Sequence, residues 1–142
     1  MGIDIKSVPD SFRKKLPAKE RKALGKHGMT AAEARERYRS GQEKILQGDI
    51  AAWLDIEGIW YTRSRMDRKT TLRKGTPDFI CCVNGLFLAI EAKCEGGKVK
   101  EEQAEAISRI WGSSGYLHAM VAYTLKQVIF RVKELRAIST PL

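Results

Sequence analysis

Residues 77–93 read PDFICCVNGLFLAIEAK, and this stretch decides the fold. Two runs rich in apolar, β-branched and aromatic residues flank Asn84-Gly85, the strongest short-range signal for a β-hairpin. A two-residue turn pairs the residue before it with the residue after it, and this fixes the register of every further pair. We therefore predict two antiparallel strands, at residues 77–83 and 86–93.

The predicted register brings three charged side chains to one patch of the hairpin. Asp78 is expected opposite Glu91, with Cβ atoms about 4.5–5.5 Å apart, and Lys93 shares the face of Glu91 because it follows two residues later. Two carboxylates about 4 Å apart repel each other by about 4 kcal/mol at an effective dielectric constant near 20. Either one carboxylate is protonated or a cation lies between them. The alternative, a surface hairpin with a screened ion pair, fits less well because both faces of these strands carry apolar residues.

A carboxylate pair beside an ammonium group is suited to metal-assisted phosphodiester hydrolysis. Mg²⁺ or Mn²⁺ prefers oxygen ligands, and such an ion polarises a phosphoryl oxygen and makes hydroxide available near neutral pH. Lys93 could hold or activate a water molecule at the same patch. We therefore predict that Asp78 and Glu91 bind a divalent metal ion and that Lys93 takes part in catalysis.

Two polar residues on neighbouring predicted helices are candidates for the same site. Glu43 lies on the helical stripe of Leu46 and Ile50, so its carboxylate can reach the sheet and supply a further metal ligand. Gln103 is in phase with Ile107 and could orient the lysine or the water. The alternatives are that Glu43 is an ordinary first-turn glutamate favoured by the helix dipole and that Gln103 is a surface residue.

The elements around the hairpin predict a mixed α/β layer. Thr30 and Glu33 have capping-box spacing, so a helix is expected at about 30–40, and Gly41 is expected to interrupt it. The further predicted elements are a helix at 42–57, strands at 59–65 and 117–123, and helices at 99–112 and from Thr124 onward. The order α-β-β-β-α-β-α favours a mixed central β-sheet flanked by helices.

Length and charge indicate one small domain with a polyanion partner. The chain has 142 residues, 43% of them hydrophobic, and a formal net charge of +9, most of which lies before Pro77. Such a balance favours nucleic acid as the partner. We predict a basic N-terminal arm at residues 1–41 and a catalytic domain at residues 42–142, and a solvated basic tail is the alternative for the arm. The side chains expected to bind DNA phosphates, without reading sequence, are Arg63, Arg65, Arg68, Lys69, Arg73 and Lys74.

The same sequence argues against several other classes of protein. There is no run of about 18 apolar residues and no apolar core of a signal peptide, so no membrane partner is expected. Three cysteines, an odd number in a sequence without a secretion signal, indicate reduced thiols in a cytoplasm. The lack of a CxxC pair argues against a structural zinc site. Two isolated histidines argue against HExxH and HNH metal sites.

These motifs are similar to those of the PD-(D/E)xK nuclease superfamily and, more narrowly, of the VRR-NUC family, which includes small stand-alone phage proteins. A Glu-x-Lys triplet alone is common, whereas the whole combination is much more specific. The matching pieces lie within about residues 42–136 and are KGTPD at 74–78, IEAK at 90–93, Gly97-Lys98, Gln103 and Glu43.

The resemblance implies a PD-(D/E)xK-like fold and a set of roles. Asp78 and Glu91 would be metal ligands with the backbone carbonyl of Ala92 as a third, Lys93 would be the catalytic lysine, and Glu43 and Gln103 would support them. It also implies a homodimer and, for a phage protein, the cytoplasm of a bacterial host. Structured DNA is the substrate that the phage members suggest.

We therefore predict a Mg²⁺- or Mn²⁺-dependent endonuclease that hydrolyses DNA phosphodiester bonds and selects branched, flapped or junction DNA by structure. Two alternatives stay open. One is a non-catalytic, basic nucleic-acid-binding protein, for which affinity would fall steeply with salt. The other is a four-way-junction resolvase, which differs in substrate and would make paired symmetric nicks.

Overall fold

The computed structural model describes residues 30–64 and 71–139. Within them the chain is mixed α/β, with a four-stranded mixed β-sheet flanked by three helices. The elements, in chain order, are helix α1 (Ala31–Ile56), strands β1 (Trp60–Arg63), β2 (Phe79–Val83) and β3 (Leu86–Ala92), helix α2 (Glu101–Ser114), a 3-10 turn (Tyr116–His118), strand β4 (Ala119–Ala122) and helix α3 (Leu125–Ile138).

The sheet has the strand order β1-β2-β3-β4, in which β1, β2 and β3 pair antiparallel and β4 pairs parallel with β3. The predicted hairpin register is confirmed, because Val83 pairs with Leu86 and the following pairs keep step with it. The backbone φ angle is 50° at Asn84 and 81° at Gly85. Positive φ at both central residues matches the twist of the strands in a type I′ turn, which explains the Asn-Gly sequence.

Two hydrophobic clusters cover the two faces of the sheet. The smaller one contains Ala89 of β3, Ile107 of α2 and Ala119 of β4, so α2 packs on one face. Glu91 follows Ala89 by two residues and therefore points to this same face. The larger cluster joins β2, β3 and β4 to α1 and α3, and its fully buried members include Ile50, Phe79, Leu88, Ile90 and Val128.

The prediction that Gly41 interrupts the first helix is wrong. Thr30 and Glu33 do form the predicted capping box, since the Glu33 N–H donates to Thr30 Oγ1 at 3.0 Å and the Thr30 N–H donates to Glu33 Oε2 at 2.9 Å. The helix then continues through Gly41 to Ile56. One glycine costs a helix about 1 kcal/mol relative to alanine, and the neighbouring Arg, Glu, Gln and Lys residues favour helix strongly enough to offset it.

Strand β4 is shorter than the predicted 117–123 because a 3-10 turn occupies its first residues. The turn follows Gly115, whose φ is 99°, and the His118 N–H donates to the Gly115 carbonyl at 3.2 Å. An apolar run in the sequence does not reveal where such a turn ends and the strand begins. Cys81 and Cys82 of β2 point to opposite faces of the sheet, since the first is buried and the second exposed.

The chain divides into two structural units, Met1–Arg39 and Ser40–Leu142, and the whole sheet belongs to the second. Residues 1–29, which form most of the predicted arm, lie outside the described residues. The boundary predicted after residue 41 stays a prediction. Among the described helices, none combines the length and apolar composition needed to span a membrane.

Candidate active site

Three buried charged side chains mark one end of the β2–β3 hairpin. Asp78 directly precedes β2, Glu91 lies near the end of β3, and Lys93 directly follows β3. Their exposed fractions are 6%, 1% and 6%, and within residues 30–64 and 71–139 they are the buried charged residues. Charged side chains are almost never fully buried unless they are paired or bind an ion. The structure therefore brings together the three residues that the hairpin register had predicted to meet.

Asp78 is held on both its backbone and its side chain. Its carbonyl accepts the Ser64 N–H at 2.8 Å, which ties it to the end of β1. Its Oδ2 accepts the Ala92 N–H at 2.9 Å, which ties it across the hairpin to β3. Burial raises the pKa of the Asp78 carboxyl, although the Ala92 hydrogen bond and the charges of Lys93 and Arg63 act in the opposite direction.

The two carboxylate oxygens of Glu91 have different surroundings. Oε1 accepts a hydrogen bond from Gln103 Nε2 at 2.5 Å and lies 3.5 Å from Lys93 Nζ. Oε2 is buried and has no hydrogen-bond partner among the described residues. Burial, followed by the neighbouring charge of Asp78, raises the pKa of Glu91 to about 7. A buried carboxylate oxygen without a partner is uncommon in folded proteins and calls for a ligand or a proton.

Lys93 connects the hairpin to helix α1 and to β4. Its Nζ lies 3.5 Å from Glu91 Oε1 and 3.7 Å from Glu43 Oε1. Its backbone N–H donates to the Ala122 carbonyl at 2.9 Å, which fixes its position beside β4. The Glu43 side chain is 27% exposed, so this part of the site lies closest to solvent. The structure thus brings Glu43 to the lysine, and its predicted role as a metal ligand stays a prediction.

The side-chain amide of Gln103 makes two hydrogen bonds, one within its own helix and one with Glu91. Its Oε1 accepts the Lys100 N–H at 3.0 Å, which caps the N-terminus of α2, and its Nε2 donates to Glu91. The sequence had left open whether Gln103 is a surface residue. Its contact with Glu91 shows that it belongs to the buried carboxylate cluster.

Gln47 of α1 is a site residue that the sequence analysis missed. Its side chain acts to lower the pKa of the Asp78 carboxyl, and its Oε1 accepts a hydrogen bond from Arg63 Nη2 at 3.3 Å. The signal that could have found it is its position four residues after Glu43, which places both side chains on the same face of the helix.

Three of the six basic residues predicted to bind DNA are described, and they differ in their contacts. The Arg63 guanidinium lies 5.4 Å from the centroid of the Phe79 ring, and Arg73 is exposed. Lys74 Nζ forms an ion pair of 2.6 Å with Glu102 on the first turn of α2, and this contact raises the pKa of Lys74. The other three, Arg65, Arg68 and Lys69, lie outside the described residues.

Gly75 explains how this loop reaches α2. Its φ is 85°, and a Cβ atom at this position would lie 2.3 Å from the Glu102 carbonyl oxygen. Only glycine fits both the left-handed backbone and the close approach. The loop is thereby fixed against the helix directly before Asp78.

The chemistry of the donor set limits how a metal ion could be held. In the described part of the chain, no three His, Cys, Asp or Glu side chains form a group able to hold a metal ion. Asp78 and Glu91 therefore supply two carboxylates, and a backbone carbonyl and water would have to complete the coordination. This fits Mg²⁺, which is usually held by one or two carboxylates and keeps several waters.

Comparison with known proteins gives no relative on which to base a function, since no protein-family model, curated protein or solved structure matches this chain.

Proposed function

We propose that this protein is a Mg²⁺- or Mn²⁺-dependent endonuclease that hydrolyses DNA phosphodiester bonds and selects branched, flapped or junction DNA by its structure. The observation that carries the proposal is the buried Glu91 Oε2, which has no hydrogen-bond partner among the described residues although the buried Asp78 and Lys93 lie near the same carboxylate. Membership of the VRR-NUC family and the PD-(D/E)xK fold, and assembly as a homodimer, are parts of the same proposal and rest on the sequence motifs.

The residues present fit a divalent metal ion. Asp78, Glu91 and the backbone carbonyl of Ala92 would hold it, with water completing the shell. An ion there would relieve the repulsion between the two carboxylates and occupy the unpartnered oxygen of Glu91. When bound, it would supply a Lewis acid that polarises the phosphoryl group and lowers the pKa of water.

Lys93 would act on the attacking water and on the charge that develops at phosphorus. Its ammonium group is buried and lies between Glu91 and Glu43, 3.5 Å and 3.7 Å from their nearest oxygens, so two carboxylates set its position. A preorganised cation in a water-poor site stabilises developing negative charge far better than one in bulk solvent. Glu43, on the more exposed side of the lysine, would hold the ammonium in place and could accept a proton from the water.

The basic segment before Asp78 would hold the DNA backbone. Arg63, Arg73 and Lys74 lie on the two described stretches that flank residues 65–70. Phosphate contacts of this kind position the duplex and carry no base information. They support recognition of the DNA by its shape rather than by its base sequence.

A panel of labelled DNA substrates tests the proposal. Linear, flapped, splayed and four-way DNA would be incubated with the full chain and Mg²⁺, Mn²⁺ or chelator. We expect metal-dependent cutting, stronger on at least one branched substrate, that is lost in Asp78→Asn and Lys93→Ala while DNA binding persists. Asp49→Asn is the matched control for Asp78→Asn, because Asp49 is an exposed aspartate on α1.

The panel also separates the alternatives. Robust cutting in chelator or by Asp78→Asn contradicts the proposed mechanism. Salt-sensitive binding without cutting of any substrate would favour the nucleic-acid-binding protein, and paired symmetric nicks in the four-way substrate would identify a resolvase.

A further inference from the structure

A cavity of about 330 Å³ lies between helix α2 and the loop that precedes Asp78, and Ile80 of β2 lines it. Ile80 pairs with Ala89 of β3, so the two side chains share a face of the sheet. Glu91 follows Ala89 by two residues and points to this same face, about 7 Å further along the strand. The cavity is therefore a direct neighbour of the buried carboxylates.

The floor of this cavity is apolar. Ile80 meets Ala106 and Ile110 of α2 there, and all three are half-buried, so each keeps apolar surface open to the cavity. Concave sites with an apolar lining and a few polar groups are typical of small-ligand binding, and this cavity is at the small end of their usual volumes, about 300–1,000 Å³. It suits one planar ring system, such as a nucleobase, and is too small for a duplex.

The rim of the cavity carries three cations and two carboxylates. Lys74 pairs with Glu102 at 2.6 Å, and Arg109 pairs with Glu105 at 2.8 Å. The third cation, Arg73, is exposed, and no ion pair joins it to a residue within 30–64 or 71–139. Since the planar guanidinium matches the geometry of a phosphate, Arg73 is the cation best placed to hold a DNA phosphate at this rim.

The loop side of the cavity is already in place without a ligand. Gly75 lies so close to the Glu102 carbonyl that a Cβ atom would not fit. The N–H and Oγ1 of Thr76 both donate to the Arg73 carbonyl, at 3.1 Å and 2.5 Å, and Ser64 Oγ donates to the Pro77 carbonyl at 2.8 Å. A preorganised wall of this kind reduces the entropy lost when a ligand binds.

We propose that this cavity binds one unpaired nucleobase of the DNA substrate next to the scissile phosphate, with the base on Ile80 and Ile110 and Arg73 on the backbone. The inference rests on the proposed function, because it places the base relative to the phosphate that is cut. It supplies a reason for selection by structure: a duplex must be unpaired before a base can enter, whereas a branch or flap offers a base at little cost. Because the rim presents both donors and acceptors, it accepts any of the four bases.

DNA binding in chelator, measured by fluorescence anisotropy with the full chain, tests the inference without cutting. A flapped DNA would carry an abasic site at each unpaired position in turn. We expect an abasic site at one position next to the junction to weaken binding about fivefold, the lower end for one base held by a protein. An abasic site far out in the flap should leave the affinity unchanged.

A variant that fills the cavity tests its location. Ala106→Phe places a ring over the apolar floor, and we expect this variant to bind intact and abasic DNA equally, at the affinity of the unmodified chain for abasic DNA. Ala104→Phe is the matched control, because Ala104 is exposed on the same helix and does not line the cavity. It should keep the fivefold difference. Thermal unfolding of both variants shows whether each is folded, and the abasic series on the unmodified chain decides the question without either.

The possible results separate this inference from the proposed function. Equal affinity for intact and abasic DNA at every unpaired position would overturn the base site and leave the rim cations with a phosphate contact alone. A fivefold difference that persists in Ala106→Phe would overturn its location. Either result is compatible with metal-dependent cutting. Base-dependent binding that Ala106→Phe removes, in a chain that cuts no substrate with Mg²⁺ or Mn²⁺, would overturn the endonuclease and keep the base site. A chain that binds no DNA would overturn both.

Discussion

Two lysine–glutamate pairs in this protein have the same chemistry and opposite surroundings. Lys74 and Glu102 approach to 2.6 Å, but their side chains are 83% and 39% exposed. Lys93 and Glu91 lie 3.5 Å apart, yet they are 8% and 1% exposed. Water and salt screen the first pair, so its interaction energy is small although its two charged groups are closer together. Burial, rather than distance, makes the second pair the candidate centre of function.

The largest difference between the two pairs should appear in activity. Lys93→Met removes the ammonium beside the carboxylates, and we expect cleavage to fall about 10²–10⁴-fold, the range for a group that acts on a proton or on developing charge. Lys74→Met should keep cleavage within a few-fold of the unmodified chain at saturating DNA. Single-turnover cleavage rates of the two variants measure these effects. Equal losses of rate in Lys93→Met and Lys74→Met would contradict the different roles of the buried and the exposed lysine.

The next effect concerns how the exposed pair is held in place. Gly75→Ala would place a Cβ atom on a left-handed backbone, 2.3 Å from the Glu102 carbonyl oxygen. We expect the resulting strain and steric clash to destabilise the fold by about 3 kcal/mol. Gly48→Ala is the control, because its Cβ would have no atom of the described residues within 4 Å and alanine favours the helix. Urea denaturation gives both values; a Gly75→Ala protein as stable as the unmodified chain would contradict the close approach.

The buried pair should also make stability depend on pH. The pKa of Glu91 is raised from its ordinary value of 4.5 to about 7 in the fold, so the folded state binds this proton more tightly than the unfolded state. In chelator, its contribution to stability is complete below about pH 4.5 and is lost as the pH rises to about 7. We expect the free energy of unfolding to fall by about 3 kcal/mol over this window from this group.

Denaturation at a series of pH values measures the slope, and Glu91→Gln should flatten it. Added Mn²⁺ should restore stability on the alkaline side, because the ion binds the ionised carboxylates. A slope unchanged by Glu91→Gln would show that the buried glutamate does not titrate in this range.

The smallest effect is expected from the exposed pair itself. Lys74→Met should leave the thermal midpoint of unfolding unchanged, because both partners are open to solvent. It should weaken DNA binding about equally on all sequences and reduce the slope of log affinity against log salt by about one. Fluorescence anisotropy at several salt concentrations measures this; an unchanged slope would mean that Lys74 stays on Glu102 when DNA binds.

The hairpin and its charged face could be predicted because the information is local. Asn84-Gly85 fixes the register, and the register alone sets Asp78 against Glu91. Gln47 could not be predicted in the same way, since its role depends on where a whole helix crosses the sheet. The continuity of α1 through Gly41 was missed because one glycine carries only a small penalty.

The residue at position 103 has to cap helix α2 and also donate a hydrogen bond to Glu91. At the third position of a helix, a capping box accepts Glu as readily as Gln, and the positive end of the helix dipole favours Glu. A glutamate at position 103 would satisfy the helix but would place another carboxylate against Glu91 and lose the NH₂ donor that Glu91 accepts. Gln103→Glu is therefore a conservative change for the helix and a disruptive one for the buried carboxylates. Charge, rather than the shape of the side chain, limits which residues this position accepts.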